Sequence, residues 1–164
     1  MKKLLILFIS IPLFVTAQEN DLSVFKPLAG KTWLAEGSWG NGSKFKQEVN
    51  LEFTLDSTLV LVHSKGFTDQ KQTNFGLRNH GVRQFDKASN SLKFWEYDVF
   101  GGRTEGTVLV DGKDILYQYQ YGESTITDMW RYIDENTYEF IVGAYENGAW
   151  KQTYLKTKFV AQPN

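Results

Sequence analysis

Two acidic residues on one short segment are the first candidates for chemistry in this sequence. Glu96 and Asp98 stand two positions apart, so on an extended strand both carboxylates face the same side. Like charges on one face push their pKa values apart, as general acid–base catalysis requires. Solvated strand faces also carry acidic residues, so a catalytic pair is one of two interpretations of this spacing.

The two histidines, His63 and His80, indicate a metal site only weakly. They are distant in the sequence and lack the His-x-His or His-Glu-x-x-His spacing of common metal sites. Haem needs one axial histidine, so haem remains an alternative, as does a hydrogen-bonded histidine in a sheet. We predict no metal ion and no cofactor, with haem as the alternative.

Four arginines lie within or at the ends of predicted strands: Arg78, Arg83, Arg103 and Arg131. A buried arginine is costly unless paired, so an inward one is either salt-bridged or available to a ligand carboxylate. Arg78 and His80 share one strand face by alternation, and we predict this pair as the polar groups that orient a ligand. The alternative for each arginine is an exposed position.

Aromatic residues make up 15% of the chain, which suits the wall of a ligand pocket. Tyr117, Tyr119 and Tyr121 alternate along one segment, and their rings therefore share a face. Trp95 and Tyr97 do the same on another segment. If these faces point inward, they line a cavity; if outward, they form a surface patch. We predict Trp95, Tyr97, Tyr117 and Tyr119 as cavity walls.

Charge and motifs exclude several classes of function. The net charge of −1 offers no basic field for nucleic acid or an anionic membrane. There is no cysteine and no Gly-x-Ser-x-Gly, and Ser64 next to His63 would point to the opposite face. No glycine-rich phosphate loop precedes a helix, so a nucleotide enzyme is not expected.

The elements that position these residues are predicted to be strands. Proline occurs only at positions 12, 27 and 163, and aromatic and β-branched residues recur in short runs between turn signals. In Lys44 to Leu55, apolar residues alternate with polar ones, with Gln47 as the one inward exception. Ten strands are expected: Lys31 to Trp39, Lys44 to Leu55, Thr58 to Thr68, Thr73 to Phe85, Ser91 to Val99, Arg103 to Val110, Asp114 to Tyr121, Ser124 to Ile133, Thr137 to Tyr145, and Ala149 to Val160.

Ten hairpin-connected strands must leave no open sheet edge, and closing into a barrel achieves this. We therefore predict an all-β, antiparallel up-and-down barrel of about eight to ten strands, wide enough for a small ligand. A two-sheet sandwich is the alternative. The only short helical stretch, Asp21 to Ala29, is expected to act as a lid or plug.

The N-terminus has the pattern of a secretory signal peptide. Lys2 and Lys3 precede an apolar run from Leu4 to Val15, and Ala17 is the predicted cleavage position. The run is too short for a membrane span, so we predict no stable membrane anchor. The expected organisation is a signal peptide, 1–17, and one barrel domain, 18–164, in the periplasm or outside the cell.

The segment Leu28-Ala29-Gly30-Lys31-Thr32-Trp33, after a short helical stretch, resembles the start of lipocalin-like (calycin) domains. Lipocalins have Gly-x-Trp where this chain has Gly30-x-x-Trp33, and their arginine on that Trp has only Lys156 or Lys158 as a counterpart. Phe85-Asp86 before a turn, and Asn147-Gly148-Ala149-Trp150, are similar to an exported bacterial lipocalin-like family of largely unassigned function. The resemblance implies a ligand-holding barrel whose base Trp33 closes.

Together these features favour a binding protein over an enzyme. The predicted function is an exported barrel that holds a small, largely hydrophobic molecule among aromatic side chains, with Arg78 and His80 as polar contacts. The alternatives are a hydrolase or isomerase, with Glu96 and Asp98 as acid and base and Arg103 or Arg131 stabilising an anion, and an envelope interaction protein with a packed interior. The sequence does not identify the ligand or the oligomeric state.

Overall fold

The computed structural model describes residues 22–162. The predicted signal peptide, 1–17, lies outside the described residues. One short 3₁₀ helix, Leu22–Phe25, precedes ten strands. The strands are β1 (Thr32–Ser38), β2 (Lys44–Thr54), β3 (Leu59–Phe67), β4 (Phe75–Asp86), β5 (Ser91–Asp98), β6 (Arg103–Asp111), β7 (Asp114–Tyr121), β8 (Ser124–Asp134), β9 (Thr137–Glu146) and β10 (Ala149–Ala161).

The ten strands form one closed antiparallel barrel in which each strand pairs with its neighbours in sequence. Closure comes from β1 and β10, where Trp33 lies opposite Ala161 and Leu34 opposite Val160. The predicted up-and-down barrel is confirmed, and the sandwich is excluded. No helix among residues 22–162 is both long and apolar enough to cross a membrane.

Tight hairpins connect the strands, and the residues in them explain why. At the turn between β9 and β10, Asn147 has φ of 51° and Gly148 has φ of 77°. Two consecutive positive φ values match the twist of an antiparallel pair, and Asn-Gly adopts them at low cost. Such local turns leave no room for crossover helices, so an up-and-down order follows.

The N-terminal segment plugs one end of the barrel, which we call the base. Leu22, Phe25 and Leu28 are all buried in the core, as the predicted plug requires. The indole Nε1 of Trp33 donates a hydrogen bond to the carbonyl oxygen of Leu28 at 2.9 Å. Trp33 is fully buried there, with its ring edge-on to that of Tyr138 at 5.4 Å between centroids.

Alternation along the strands separates the barrel interior from the outer face. On β2, Val49 and Leu51 are buried in the core, whereas the side chain of Glu52 is exposed. Gln47 lies on the same side of β2 as Val49 and lines the interior, as predicted for the one polar residue on the inward face of this strand. A polar side chain therefore enters a region that the rest of the strand fills with apolar groups.

Candidate functional site

The interior holds a cavity between the base and the opposite, open end. An inner chamber of about 140 Å³ reaches down to Leu28. An outer chamber of about 310 Å³ extends to Trp39 and Lys44 near the open end. The chambers share the side chains Gln47, Glu96, Tyr119, Asp128 and Phe140, so they adjoin. The outer chamber alone reaches the volume of a small-molecule site, and the inner chamber extends it toward the base.

The inner chamber has an apolar wall on the side of the base. Its apolar lining residues are Leu28, Val49, Leu51, Val62, Phe94, Trp130 and Phe140. Trp130 is held in place by stacking on Phe159, with 4.2 Å between ring centroids. The chamber therefore presents a rigid aromatic surface that can pack against an apolar group.

A buried ion pair crosses from β4 to β5 inside the barrel. Arg83 Nη2 is paired with Glu96 Oε1, and the side chain of Arg83 is only 5% exposed. Asn79 Nδ2 donates to the second oxygen of Glu96 at 2.9 Å. Because Gly81 lies opposite Glu96 in the ladder, Arg83 and Glu96 are diagonal neighbours on one face. A Cβ at Gly81 would come within 2.5 Å of Arg83 Nη1, so glycine makes room for the pair.

Two aromatic rings flank the guanidinium of Arg83. Its Cζ lies 4.8 Å from the ring centre of Tyr117 and 5.4 Å from that of Phe94. Nη1 donates to the carbonyl oxygen of Val82 at 3.3 Å. Among the described residues, Nε of Arg83 is buried without a hydrogen-bond partner. The charge of Arg83 is therefore compensated by Glu96, while its buried Nε donor remains unused.

A second carboxyl, that of Asp128, faces the same cavity from β8. The hydroxyl of Tyr119 donates to Asp128 Oδ1 at 3.1 Å. Burial and, after it, the charge of Glu96 raise the pKa of Asp128 to about 7, while the hydrogen bond from Tyr119 and the charge of Arg83 act in the opposite direction. Burial, and then Asp128, also raise the pKa of Tyr119. Asp128 therefore gains and loses its proton near neutral pH.

We call Asn79, Arg83, Glu96, Tyr119 and Asp128 the interior polar cluster. It has two acidic groups and one basic group, and three of its members lie where the two chambers adjoin. The cluster can exchange a proton through Asp128. A molecule in the cavity would thus meet apolar rings at one end and charged groups at the other.

Four residues predicted for the site face the interior, and one of them is Arg78 in the outer chamber. Trp33 closes the base, and Tyr117 and Tyr119 line the inner chamber. Tyr121 continues the same stripe, but it is 76% exposed because β7 ends there. The tyrosine stripe therefore runs from the core to the rim.

Three other predicted residues face the outside, which corrects the predicted orientation of their strands. On β5, Phe94 and Glu96 line the cavity, so Trp95 and Tyr97 lie on the outer face. His80 is paired with Tyr97 across the ladder and is also exposed. Its Nδ1 is 2.9 Å from that of His63, and the histidines contact each other rather than the cavity.

Arg78 lines the outer chamber, although His80 does not, because the ladder is irregular at this point. Ser64 lies opposite Asn79, but the next residue, Lys65, lies opposite Leu77, so Arg78 is the extra residue of a bulge. A bulge breaks the period of two, and alternation counted across it assigns the wrong face. Arg78 Nη1 donates to the carbonyl oxygen of Phe67 at 2.5 Å.

The predicted catalytic pair is separated by the structure. Glu96 enters the cavity, whereas Asp98 accepts hydrogen bonds from the backbone amides of Phe100 and Gly102 and shapes the turn after β5. The predicted anion-stabilising residues pair elsewhere: Arg103 with Glu105 and Arg131 with Glu139. The carboxyl that shares the cavity with Glu96 is Asp128, not Asp98.

The sequence did not single out Asp128, and it favoured Arg78 over Arg83 as the polar contact of the ligand. The signal for Asp128 was present, because it alternates with the inward Ile126 and Trp130 on β8. An acidic residue inside an apolar alternation has to be paired or protonated. For Arg83, the corresponding signal was a shared parity with Gly81, whose missing side chain provides space.

The cavity offers no arrangement of ligands that fits a metal ion or haem. Among residues 22–162, no group of three or more His, Asp or Glu side chains is placed to hold a metal. Both histidines lie outside the cavity, and neither can supply an axial bond to a haem inside it. The alternative of a haem-binding barrel therefore has no supporting residue inside the chambers.

The fold is similar to that of a solved protein. An S-type phycobiliprotein lyase from Guillardia theta matches with a TM-score of 0.50 at 10% identity, over 87% of this chain and 92% of that one. The shared feature is a lipocalin-like barrel. No protein-family model matches the chain, and no match was found among curated proteins. At this identity the likeness concerns the fold alone.

Proposed function

We propose that this protein is a binding barrel that holds a small, largely hydrophobic molecule in the two chambers. The observation that carries the proposal is the adjoining pair of chambers, lined by aromatic rings and by the interior polar cluster. Burial of an apolar body against Trp130 and Phe140 would provide the affinity, at about 25 cal/mol per Å² of apolar surface. The polar cluster would orient the molecule.

The cavity also separates this proposal from an interaction protein with a solid core. Such a protein would have no use for an open interior, whereas here charged groups line a chamber next to an aromatic wall. Buried charges cost stability unless they are compensated, so their presence supports a role in recognition. The similar barrel of the lyase supports the fold and not a particular ligand.

The test is calorimetric titration with short amphiphiles, such as alkyl alcohols, amines and carboxylates of five to eight carbons. We expect at least one series to bind, and Gln47→Trp to weaken that binding more than tenfold, because the new ring would fill the junction of the chambers. Gln84→Trp, the same change at an exposed position of β4, is the matched control and should bind normally. Equal binding by both variants would place the ligand outside the cavity.

A second candidate function is an isomerase that moves a proton within a bound molecule. The observation in its favour is that Glu96 and Asp128 share one cavity, with the pKa of Asp128 raised to about 7. Exchange of the α-hydrogens of small ketones in deuterated water, followed by NMR, would reveal such an activity. Asp128→Asn should abolish the exchange, and exchange unaffected by this variant would exclude Asp128 as the base.

We further propose export of the protein with removal of residues 1–17. The support is the sequence pattern of Lys2, Lys3, the apolar run and Ala17. Mass spectrometry of the protein from the extracytoplasmic fraction should find a chain that begins at Gln18. A chain that still begins at Met1 in the cytoplasm would contradict the proposal.

A further inference from the structure

The charges of the interior polar cluster do not balance. Glu96 is compensated by Arg83 and by the amide of Asn79. Asp128 has no cationic partner in the described structure, and its one side-chain hydrogen bond comes from Tyr119. A neutral tyrosine hydroxyl does not compensate a buried negative charge, so ionised Asp128 is an anion that lacks a counter-ion.

The groups around Asp128 show which charge is missing. Glu96 on β5 makes ionisation of Asp128 harder, and its effect exceeds the opposing effect of Arg83 on β4. Tyr117 and Tyr119 on β7 are neutral, since their pKa values are raised by burial. On β9, the residue opposite Asp128 is Val142, which does not titrate. Arg78, Lys44 and Lys46 also line the outer chamber, but none of them contributes to the pKa of Asp128. Among the charged groups that do contribute, the effect of Glu96 outweighs that of Arg83.

An anionic group on the ligand would fit poorly where the two chambers adjoin. Arg83 already pairs with Glu96 and donates to the carbonyl of Val82, so its charge is not free for an incoming anion. A carboxylate would also face Glu96 and Asp128. Aromatic rings at the same place, such as those of Phe140 and Trp130, attract cations through their π faces.

We propose that the ligand of this barrel carries a protonated amine that pairs with Asp128 where the two chambers adjoin, while its apolar body packs on Trp130 and Phe140. This assignment rests on the proposed binding function and deepens it. The amine donates to Asp128, and Tyr119 keeps its own hydrogen bond to the same carboxyl. Pairing with a cation also supplies the charge that the interior polar cluster lacks.

The experiment compares n-pentylamine, n-pentanol and pentanoate by calorimetry at pH 8, where Asp128 is ionised. Alkylamines remain protonated at this pH, as lysine does. We expect the amine to bind about tenfold more tightly than the alcohol, because a charge-assisted hydrogen bond is stronger than a neutral one. Pentanoate should bind most weakly of the three.

Asp128→Asn should remove the preference of the barrel for the amine over the alcohol, because the amide carries no charge to pair with the amine. The matched control is Glu105→Gln on the exposed outer face, which changes the net charge by the same amount. It should leave the preference for the amine intact. In the unaltered protein, amine affinity should fall by about five- to tenfold from pH 8 to pH 6, because Asp128 becomes protonated. Alcohol affinity should not change with pH.

The outcomes separate this inference from the binding function. If pentanol or pentanoate binds as tightly as the amine, or if Asp128→Asn keeps the preference, the amine assignment is wrong and the binding barrel stands. If none of the three probes binds, and none of the longer homologues does, both are wrong. An amine affinity independent of pH between 6 and 8 would also overturn the assignment of Asp128.

Discussion

The base and the open half of this barrel use opposite kinds of interior. At the base, rings pack on rings: Trp33 lies edge-on to Trp130 at 6.0 Å, and Trp130 stacks on Phe159 at 4.2 Å. In the open half, Glu96 and Asp128 face a cavity, and a buried donor of Arg83 has no partner among the described residues. The first region is packed as a structural core, whereas the second retains polar groups that such a core would exclude.

The largest effect expected from this contrast is at Trp33. Trp33→Ala would empty a fully buried position and leave the carbonyl of Leu28 without its donor. We expect a loss of about 3–5 kcal/mol in the free energy of unfolding, measured by urea denaturation. The matched control is Trp95→Ala on the outer face, where a loss of about 1 kcal/mol is expected. Equal losses of unfolding free energy in the two variants would show that packing at the base stabilises the protein no more than packing on the outer face.

A somewhat smaller effect is expected in the interior polar cluster. Arg83→Met would keep the packing against Phe94 and Tyr117 but leave Glu96 without its counter-charge. We expect the free energy of unfolding to fall by about 3 kcal/mol in denaturation experiments at pH 7, because the largely buried charge of Glu96 would have no partner. The double variant Arg83→Met with Glu96→Gln should recover part of that loss. A double variant as unstable as the single one would show that packing, not charge, is what Arg83 supplies.

Much of the fold follows from local sequence features. Each of the ten predicted strands lies within two residues of an observed one, because turns such as Asn147-Gly148 mark their ends. Closure into a barrel follows from the absence of crossovers and the need to pair both edges. The plug was also predictable, since Leu22, Phe25 and Leu28 recur at helical spacing.

The facing of individual strands was less predictable, because both faces of the barrel carry apolar residues. Leu116, Met129 and Ile141 are buried, yet they lie opposite one another in a row that points away from the cavity. On β5, apolarity could not distinguish Phe94 from Trp95. What decides that strand is Glu96, whose partner Arg83 is on another strand, and sequence periodicity does not reveal such a pair.

The third prediction concerns how stability depends on pH. The pKa of Asp128 is about 7 in the folded protein and about 3.9 in an unfolded chain, so between these values the folded state holds the additional proton. Stability attributable to Asp128 is therefore lost as pH rises from about 4 to about 7. Asp128→Asn removes this loss, and at pH 8 the variant should be more stable by on the order of 2 kcal/mol.

The measurement is the difference in unfolding free energy between Asp128→Asn and the unaltered protein at several pH values. Taking this difference cancels the contribution of other titrating groups that the two proteins share. The difference should grow from pH 4 to pH 7 and stay constant above. A difference independent of pH would mean that Asp128 is already well compensated in the folded state, and the contrast between base and open half would lose its electrostatic part.

The smallest effect is expected on the outer face, at the histidine pair. His80→Asn removes the 2.9 Å contact with His63 but leaves the ladder between β3 and β4 intact, since that ladder is made by the backbone. Exposed substitutions of this kind change stability by about 0.5 kcal/mol or less. Ligand affinity measured by calorimetry should also be unchanged, because the side chain of His80 does not reach either chamber. A clear loss of ligand affinity in His80→Asn, with normal stability, would show that β4 transmits changes from its outer face to Asn79 and Arg83. Residues that stabilise the fold and residues that contact the ligand would then be mixed within single strands, and the two halves of the barrel would no longer separate them.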